Sequence, residues 1–418
     1  MGAIRAGRSL TPSLDALAAR GTTFKNAIAH SAHTPEGIPA ILQSVCAGVR
    51  PAAGIGPHAL NEGVPTLAEV FKDNGYQTAA MYRSPYLGRA LGYARGCDHF
   101  EDGVLLSGAV PHTAMLRVQR WLNFASARPY ITGPALARRA LRWFDSTDPG
   151  RPFFAWLHFM DAHGPYQPAA ADLAAAWPEE RGGSPRGQTA LWRRAGRWAP
   201  ESITEEEQAR LGHLYDGAVH GVDRAIGGLV RALDRRGLLD GTVIVVTSDH
   251  GEAFGEHGLY DHPNQLFGEL LDVPCVLLHP GGDRGRTYDS IVSSLDIAPT
   301  LLDAAGLPPV ADCQGRSLLQ QMAGTASPVA VAISEVIGER ADAGLRKLSA
   351  RSSTHAYEVA LRGNLIERER LSDLVEDTGE QFNLVESERG RANELSAVLA
   401  AHARRWHPPE TLPALWRA

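Results

Sequence analysis

Thr247-Ser248-Asp249-His250-Gly251-Glu252 directly follows the apolar run Val243-Ile244-Val245-Val246. A β-branched run of this kind reads as a strand buried on both faces, and open α/β sheets place their chemistry at the carboxyl ends of such strands. Asp249 and His250 are therefore expected at a site. A carboxylate beside an imidazole offers a hard and a borderline ligand together, a set suited to Zn²⁺, Mn²⁺ or Mg²⁺. For an isolated pair, an Asp opening a turn next to a surface His would be the better reading.

The pair is not isolated. Gly251-Glu252-Ala253-Phe254-Gly255-Glu256-His257-Gly258-Leu259-Tyr260-Asp261-His262 is a glycine-punctuated polar loop that leads into Asp272-Val273-Pro274-Cys275-Val276-Leu277-Leu278, a second buried strand. Glycines let the backbone turn sharply beside an anion, and His257 and His262 are placed to reach back over a cation. Ser-Asp-His-Gly-Glu, then Gly-Glu-His-Gly, then a His before a Val-Pro strand resembles the metal-binding region of the sulfatases in the alkaline phosphatase superfamily. The resemblance implies one divalent metal ion (Ca, Mg, Mn or Zn) and a small anionic ester substrate.

At 418 residues and 44% hydrophobic content the chain can bury a large core, so one big domain with an appendage is expected. The formal net charge of −6, with no long basic run, disfavours nucleic acid. Cys46, Cys97, Cys275 and Cys313 are widely spaced and read as buried thiols of a reducing compartment. No apolar stretch approaches the roughly 20 residues of a spanning helix. Met1 to Arg8 lacks the apolar centre of a secretion signal. A cytoplasmic chain is expected on these grounds, although an upstream extension could carry a signal.

Helices alternating with buried strands predict an α/β fold, a mostly parallel sheet covered by helices on both faces. Thr11-Pro12-Ser13-Leu14-Asp15-Ala16-Leu17-Ala18 opens a helix ending at Gly21, and it resembles the family's first helix. Strands are expected at Tyr76 to Tyr82, Pro152 to His158 and Val329 to Val336, with a helix from about Ala135 to Phe144. A capping box, Thr204 with Glu207, starts a helix that runs through Tyr215, Val219, Val222, Ile226 and Val230 to Gly237. From about Arg346, the Gly363-Asn364 turn between Tyr357–Leu361 and Leu365–Leu371 marks a hairpin, and a helix follows at about 391–405. This resembles the small C-terminal antiparallel sheet plus helix of sulfatases. The division expected is 1–345 and 346–418, with an insertion at about 168–203.

Sulfatases carry a formylglycine made from Cys or Ser in Cys/Ser-x-Pro-x-Arg, a motif absent here. The corresponding stretch is Ser31-Ala32-His33-Thr34-Pro35-Glu36-Gly37-Ile38-Pro39, where Thr34 precedes a helix start expected at Pro39. This looks more like phosphoethanolamine transferases and lipoteichoic acid synthases, relatives with an unmodified Thr nucleophile. Thr34 becomes the candidate nucleophile and third metal ligand, with the following helix amides receiving an oxyanion. An ordinary cap hydroxyl is the alternative.

His163, in Asp161-Ala162-His163-Gly164-Pro165-Tyr166, and His262, twelve residues after His250, resemble the relatives' histidines that touch the substrate anion. His158 reads as a core histidine, and His257 is open. Arg83, in Tyr82-Arg83-Ser84-Pro85, stands where sulfatases carry a substrate cation. The insertion holds Trp177, Trp192 and Trp198 among Arg181, Arg193, Arg194 and Arg197. It reads either as a lid for an aryl or sugar group or as an exposed segment without a ligand role.

The family's opening strand, with the acids that complete its metal site, has no counterpart in the ten residues before Thr11. The first strand is missing from this reading, and Glu36 or Asp15 would have to substitute. The function expected is a sulfatase-like hydrolase of sulfate or phosphate esters. The alternatives are a phosphodiesterase or phosphotransferase of the same superfamily, or an inactive member that binds an anion or a partner.

Overall fold

The computed structural model describes residues 4–5, 7–46, 59–82, 84, 87–102, 131–310, 312–325, 329–337 and 344–417. Eight strands form two half-sheets: β1 (Thr22–Ile28), β2 (Gln77–Met81), β3 (His99–Glu101), β4 (Phe153–Leu157), β5 (Ile244–Thr247), β6 (Asp272–Val273), β7 (Cys275–Leu278) and β8 (Arg286–Ser293). In the first half β2 pairs in parallel with β3 and β4. In the second, β1 pairs in parallel with β8 and antiparallel with β6 and β7, and β7 pairs antiparallel with β5.

The parallel pairs follow the expectation, and the antiparallel turn at β7 has a simple cause. A parallel neighbour needs a long crossover, usually a helix, and the segment between β5 and β7 carries no helix longer than the four residues Gly268–Leu271. β1 and β8 were not read from the sequence, because Thr22, Thr23, Lys25 and Asn26 in the one and Arg286, Asp289 and Ser290 in the other break up the apolar signal.

Helices cover both faces. α1 (Pro12–Arg20), α2 (Thr34–Gln43), α3 (Leu67–Asp73), α4 (Gly133–Ser146), α5 (Ala170–Ala176), α6 (Pro185–Arg193), α7 (Glu205–Arg235), α8 (Ile297–Ala304) and α9 (Arg389–Trp406) are the main ones. Side chains alternate along a strand, so β4 sends Phe153, Ala155 and Leu157 into one core and Phe154 and Trp156 into the other. The first core packs Leu14 and Leu17 of α1, Leu136 and Ala140 of α4, and Leu229 and Leu233 of α7. The second packs Ile38 of α2, Leu67 and Phe71 of α3, and Ile297 of α8. The capping box at the start of α7 is formed: Glu207 N donates to Thr204 Oγ1, and Thr204 N donates to Glu207 Oε2, both at 3.2 Å.

Among the described residues β4 pairs only with β2, and β5 only with β7. Each strand keeps one unpaired edge, and every residue of both is only half-buried despite its apolar composition. Among the described residues the two half-sheets share both cores and no hydrogen-bonded ladder joins them.

The C-terminal sheet orders β9 (Ala332–Ile337), β10 (Leu345–Arg351), β11 (His355–Arg362) and β12 (Leu365–Asp373), all antiparallel. It therefore begins at Ala332, ahead of the boundary placed at 345. The hairpin turns at Gly363, whose φ of 59° suits glycine. α9 closes this layer by packing Leu395 and Leu399 on Leu348, Tyr357 and Leu371. Among the described residues no helix is long and apolar enough to cross a membrane.

Candidate active site

The loop after β5 and the start of α2 meet at one place. Thr34 is the first residue of α2, with His33 extended as the N-cap and Pro35 in the first turn. The helix thus begins five residues before Pro39, which sits inside it; Pro35 supplies the fixed φ that a first turn accepts. Only a glycine allows the two segments to approach so closely: a Cβ on Gly37 would stand 2.7 Å from Asp249 O.

Thr34 Oγ1 lies 3.3 Å from His250 Nε2, and His250 Nε2 lies 3.7 Å from Asp249 Oδ2. His250 Nδ1 is 2.8 Å from Gly251 O, which places the ring proton there and leaves the Nε2 lone pair facing Thr34. Asp249 Oδ2 is buried and accepts no hydrogen bond. Burial pushes the Asp249 carboxyl up, but His250, His158 and the Thr34 hydroxyl offset this and hold it below the ordinary value. A carboxylate, an imidazole lone pair and a hydroxyl oxygen converge, with one carboxylate oxygen unsatisfied. That donor set fits a divalent cation.

The oxyanion role expected of the amides after Thr34 is not available in this arrangement. Pro35 has no N–H, while Glu36 N and Gly37 N both donate to His33 O, at 3.2 and 2.8 Å. What remains for an anion is the helix dipole and the imidazoles around it. His163 Nε2 and His262 Nε2 face each other at 3.1 Å, and the His262 ring centroid is 4.3 Å from that of His250 and 5.8 Å from that of His33. His163 Nδ1 donates to Gly164 O at 2.7 Å, so its Nε2 accepts from His262 Nε2, and His262 Nδ1 is left as a buried lone pair. Burial lowers the pKa of both rings, so each is neutral at neutral pH.

Three members of this site were missed in the sequence: His33, Glu252 and Asp261. Glu252, Asp261 and His262 each bring a ligand-type atom within 4.8 Å of the others. Burial and the neighbouring Asp261 carboxylate push Glu252 well above the ordinary range. Glu252 stands inside the Asp-His-Gly-Glu run and Asp261 precedes His262, so their positions were the available signal. Asp15 accepts instead from Ser9 Oγ, and Glu36 faces His33 at 3.9 Å; neither joins a ligand cluster among the described residues.

His257 is a structural tie, with Nδ1 on Glu269 Oε1 at 2.9 Å and its ring stacked on Phe267. His158 is half-buried beside the site, and desolvation lowers its pKa against the opposing pull of Asp249. Arg83 lies outside the described residues. The insertion folds into α5 and α6 and packs on the site loop. Trp192 is buried with Arg197 over its ring at 5.2 Å, and a Cβ on Gly196 would come within 3.1 Å of the Asp261 Cβ.

Asp161, between β4 and His163, accepts from Gly133 N at 2.8 Å through Oδ1, while Oδ2 is buried without a partner. Burial raises its carboxyl from 3.8 to about 6, opposed by the Gly133 N–H. The folded chain then holds this proton more tightly than the unfolded one. The associated stability is complete below about pH 4 and lost as the pH rises through 6, a span of at most about 3 kcal/mol. Asp161→Asn keeps the acceptor for Gly133 and is expected to be more stable than the native chain at pH 8 but not at pH 4. Urea unfolding at the two pH values measures this.

A family model described as Sulfatase matches residues 1–307. The chain is 31% identical over 218 residues to the choline-sulfatase of Rhizobium meliloti, covering 49% of this chain and 39% of that protein. It is 40% identical over 105 residues to the N-acetylglucosamine-6-O-sulfatase of Bacteroides thetaiotaomicron, covering 25% of this chain and 19% of that protein. The fold matches the crystal structure of the phosphonate monoester hydrolase of Agrobacterium radiobacter with a TM-score of 0.73 and 20% identity, over 96% of this chain and 92% of that one. These relatives are ester hydrolases, and their superfamily uses a divalent metal. With its matched domain, its two-faced sheet and the Asp249-His250 loop at a strand end, the chain belongs to the sulfatase family.

Proposed function

We propose that this chain hydrolyses sulfate or phosphate-type monoesters through Thr34, with one divalent cation held by Asp249, His250 and Thr34. The observation that carries the reading is the convergence of Thr34 Oγ1, the His250 Nε2 lone pair and the unsatisfied Asp249 oxygen at the head of α2. When bound, the cation neutralises charge on the transferred group and lowers the pKa of the hydroxyl beside it.

The side chains do the rest. As Thr34 Oγ1 attacks the sulfur or phosphorus its proton passes to Asp249, the ester bond breaks and the leaving oxygen takes a proton from solvent, and water then hydrolyses the Thr34 ester to release the anion. The α2 dipole and the neutral His163–His262 pair receive the anionic oxygens, His262 Nε2–H being the donor that turns from His163 to the substrate. Arg197, lying over the ring of the buried Trp192 and close enough to His262 to act on its charge, attracts the anionic part of the substrate.

Aryl sulfate, aryl phosphate and aryl phosphonate monoesters with one common leaving group, each assayed with Mg²⁺, Ca²⁺, Mn²⁺ and Zn²⁺, test this reading. Metal-dependent turnover of at least one is expected, and His262→Gln should lower kcat by roughly 10² or more. A folded, metal-loaded chain that turns over none of them is a binder of anions instead. Transfer to an added alcohol in place of water would favour the phosphotransferase reading, which the unmodified Thr34 supports.

A further inference from the structure

The far end of α2 runs into a second cluster of titratable side chains. Cys46, just beyond the helix, is buried; Glu335 of β9 is 0% exposed; and His402 of α9 reaches the same point. One ligand-type atom from each lies within 4.8 Å of the other two. Glu335 Oε1 is held by His402 Nε2 at 2.7 Å and by His407 Nε2 at 2.9 Å. Glu335 Oε2 is equally buried and accepts no hydrogen bond. Arg346 Nη1 donates to His407 Nδ1 at 2.7 Å, so the His407 proton sits on Nε2 and is committed to Glu335.

We propose that Cys46, Glu335 and His402 bind a zinc-class divalent ion, at a site separate from Thr34 and Asp249. Thiolate, carboxylate and imidazole are the ligands this class of ion takes, and one thiolate plus one carboxylate cancel its charge. A neutral assembly is what a buried location favours. Ligand atoms around such an ion stand about 3.4 to 3.8 Å apart, so small side-chain shifts close the cluster. The ion takes the idle Glu335 oxygen and the Cys46 sulfur, whose thiol proton goes to solvent. The His402 ring proton moves to Nδ1, freeing Nε2 as the third ligand. A cavity of about 360 Å³, lined by His402, Ile333, Gln314 and Cys313, opens on the His402 side of the cluster. Occupancy joins α2, which carries Thr34 at its other end, to β9 and α9 of the C-terminal layer.

The test uses the full chain, freed of metal and titrated with cobalt(II) alone. A thiolate–cobalt charge-transfer band in the near ultraviolet is expected. It should disappear in Cys46→Ser, weaken with at least a roughly tenfold loss of cobalt affinity in His402→Gln, and persist in Asp249→Asn. Absence of the band from the native chain, or its survival in a folded Cys46→Ser, overturns the proposal. If Cys46→Ser does not fold, His402→Gln decides: unchanged cobalt affinity overturns it, and weakened affinity with the band reduced supports it. Because the band reports a thiolate and not turnover, failure here leaves the ester-hydrolase reading untouched.

Discussion

Thr34→Ala is expected to lower turnover of the best ester substrate by about four orders of magnitude or more while leaving the fold intact. Removing a nucleophile costs catalysis about that much, and the remaining rate comes from whatever binding and charge stabilisation survive. The fold should survive because alanine is the best helix former and Thr34 makes no capping bond at the start of α2. Thr34→Ser is the useful companion, since it restores an oxygen at the same carbon. Steady-state kcat and KM for the three variants, with circular dichroism melts, decide the matter. A Thr34→Ala chain that retains more than about a tenth of native kcat would remove the nucleophile from the proposal.

Asp249→Asn should have an effect nearly as large but of a different kind. The amide keeps the shape of the carboxylate but carries no charge, so the cation loses the one carboxylate among its three protein ligands. Affinity for Mn²⁺ should fall by about two orders of magnitude or more, and turnover at micromolar metal should fall with it. Raising the metal concentration should recover part of the rate, which it cannot do for Thr34→Ala. Titration calorimetry with Mn²⁺ gives the affinity directly. Unchanged Mn²⁺ binding in Asp249→Asn would place the cation elsewhere, with Glu252, Asp261 and His262 as the next cluster to examine.

The two variants probe residues that lie far apart in the chain, and that separation explains what was legible beforehand. Asp249 and His250 could be read because the strand and the polar loop are contiguous, so one local pattern carries both the position and the ligands. Thr34 could be read only through resemblance, and its helix was placed too late because Pro39 looked like a first-turn proline when Pro35 holds that role. His33, Glu252 and Asp261 were passed over because each, taken alone, is an ordinary loop residue. Nothing local says that Asp261 will face Glu252 in a buried space, or that His262 will meet His163 at 3.1 Å across 99 residues of chain. The antiparallel return at β7 follows from a loop without a crossover helix.

Local order settles hydrophobic alternation, capping boxes, turn glycines and the polar residues at the end of a buried strand, because these depend on neighbours within a few positions. The sequence by itself therefore determined the α/β architecture, the C-terminal hairpin and the Asp249-His250 pair. The tertiary structure alone decided which histidines share a proton, which amides are spent on His33, that β4 and β5 each keep an unpaired edge among the described residues, and that Cys46, Glu335 and His402 converge. Those outcomes depend on distances between segments far apart in the chain, which packing of the two cores fixes and no short window of sequence contains.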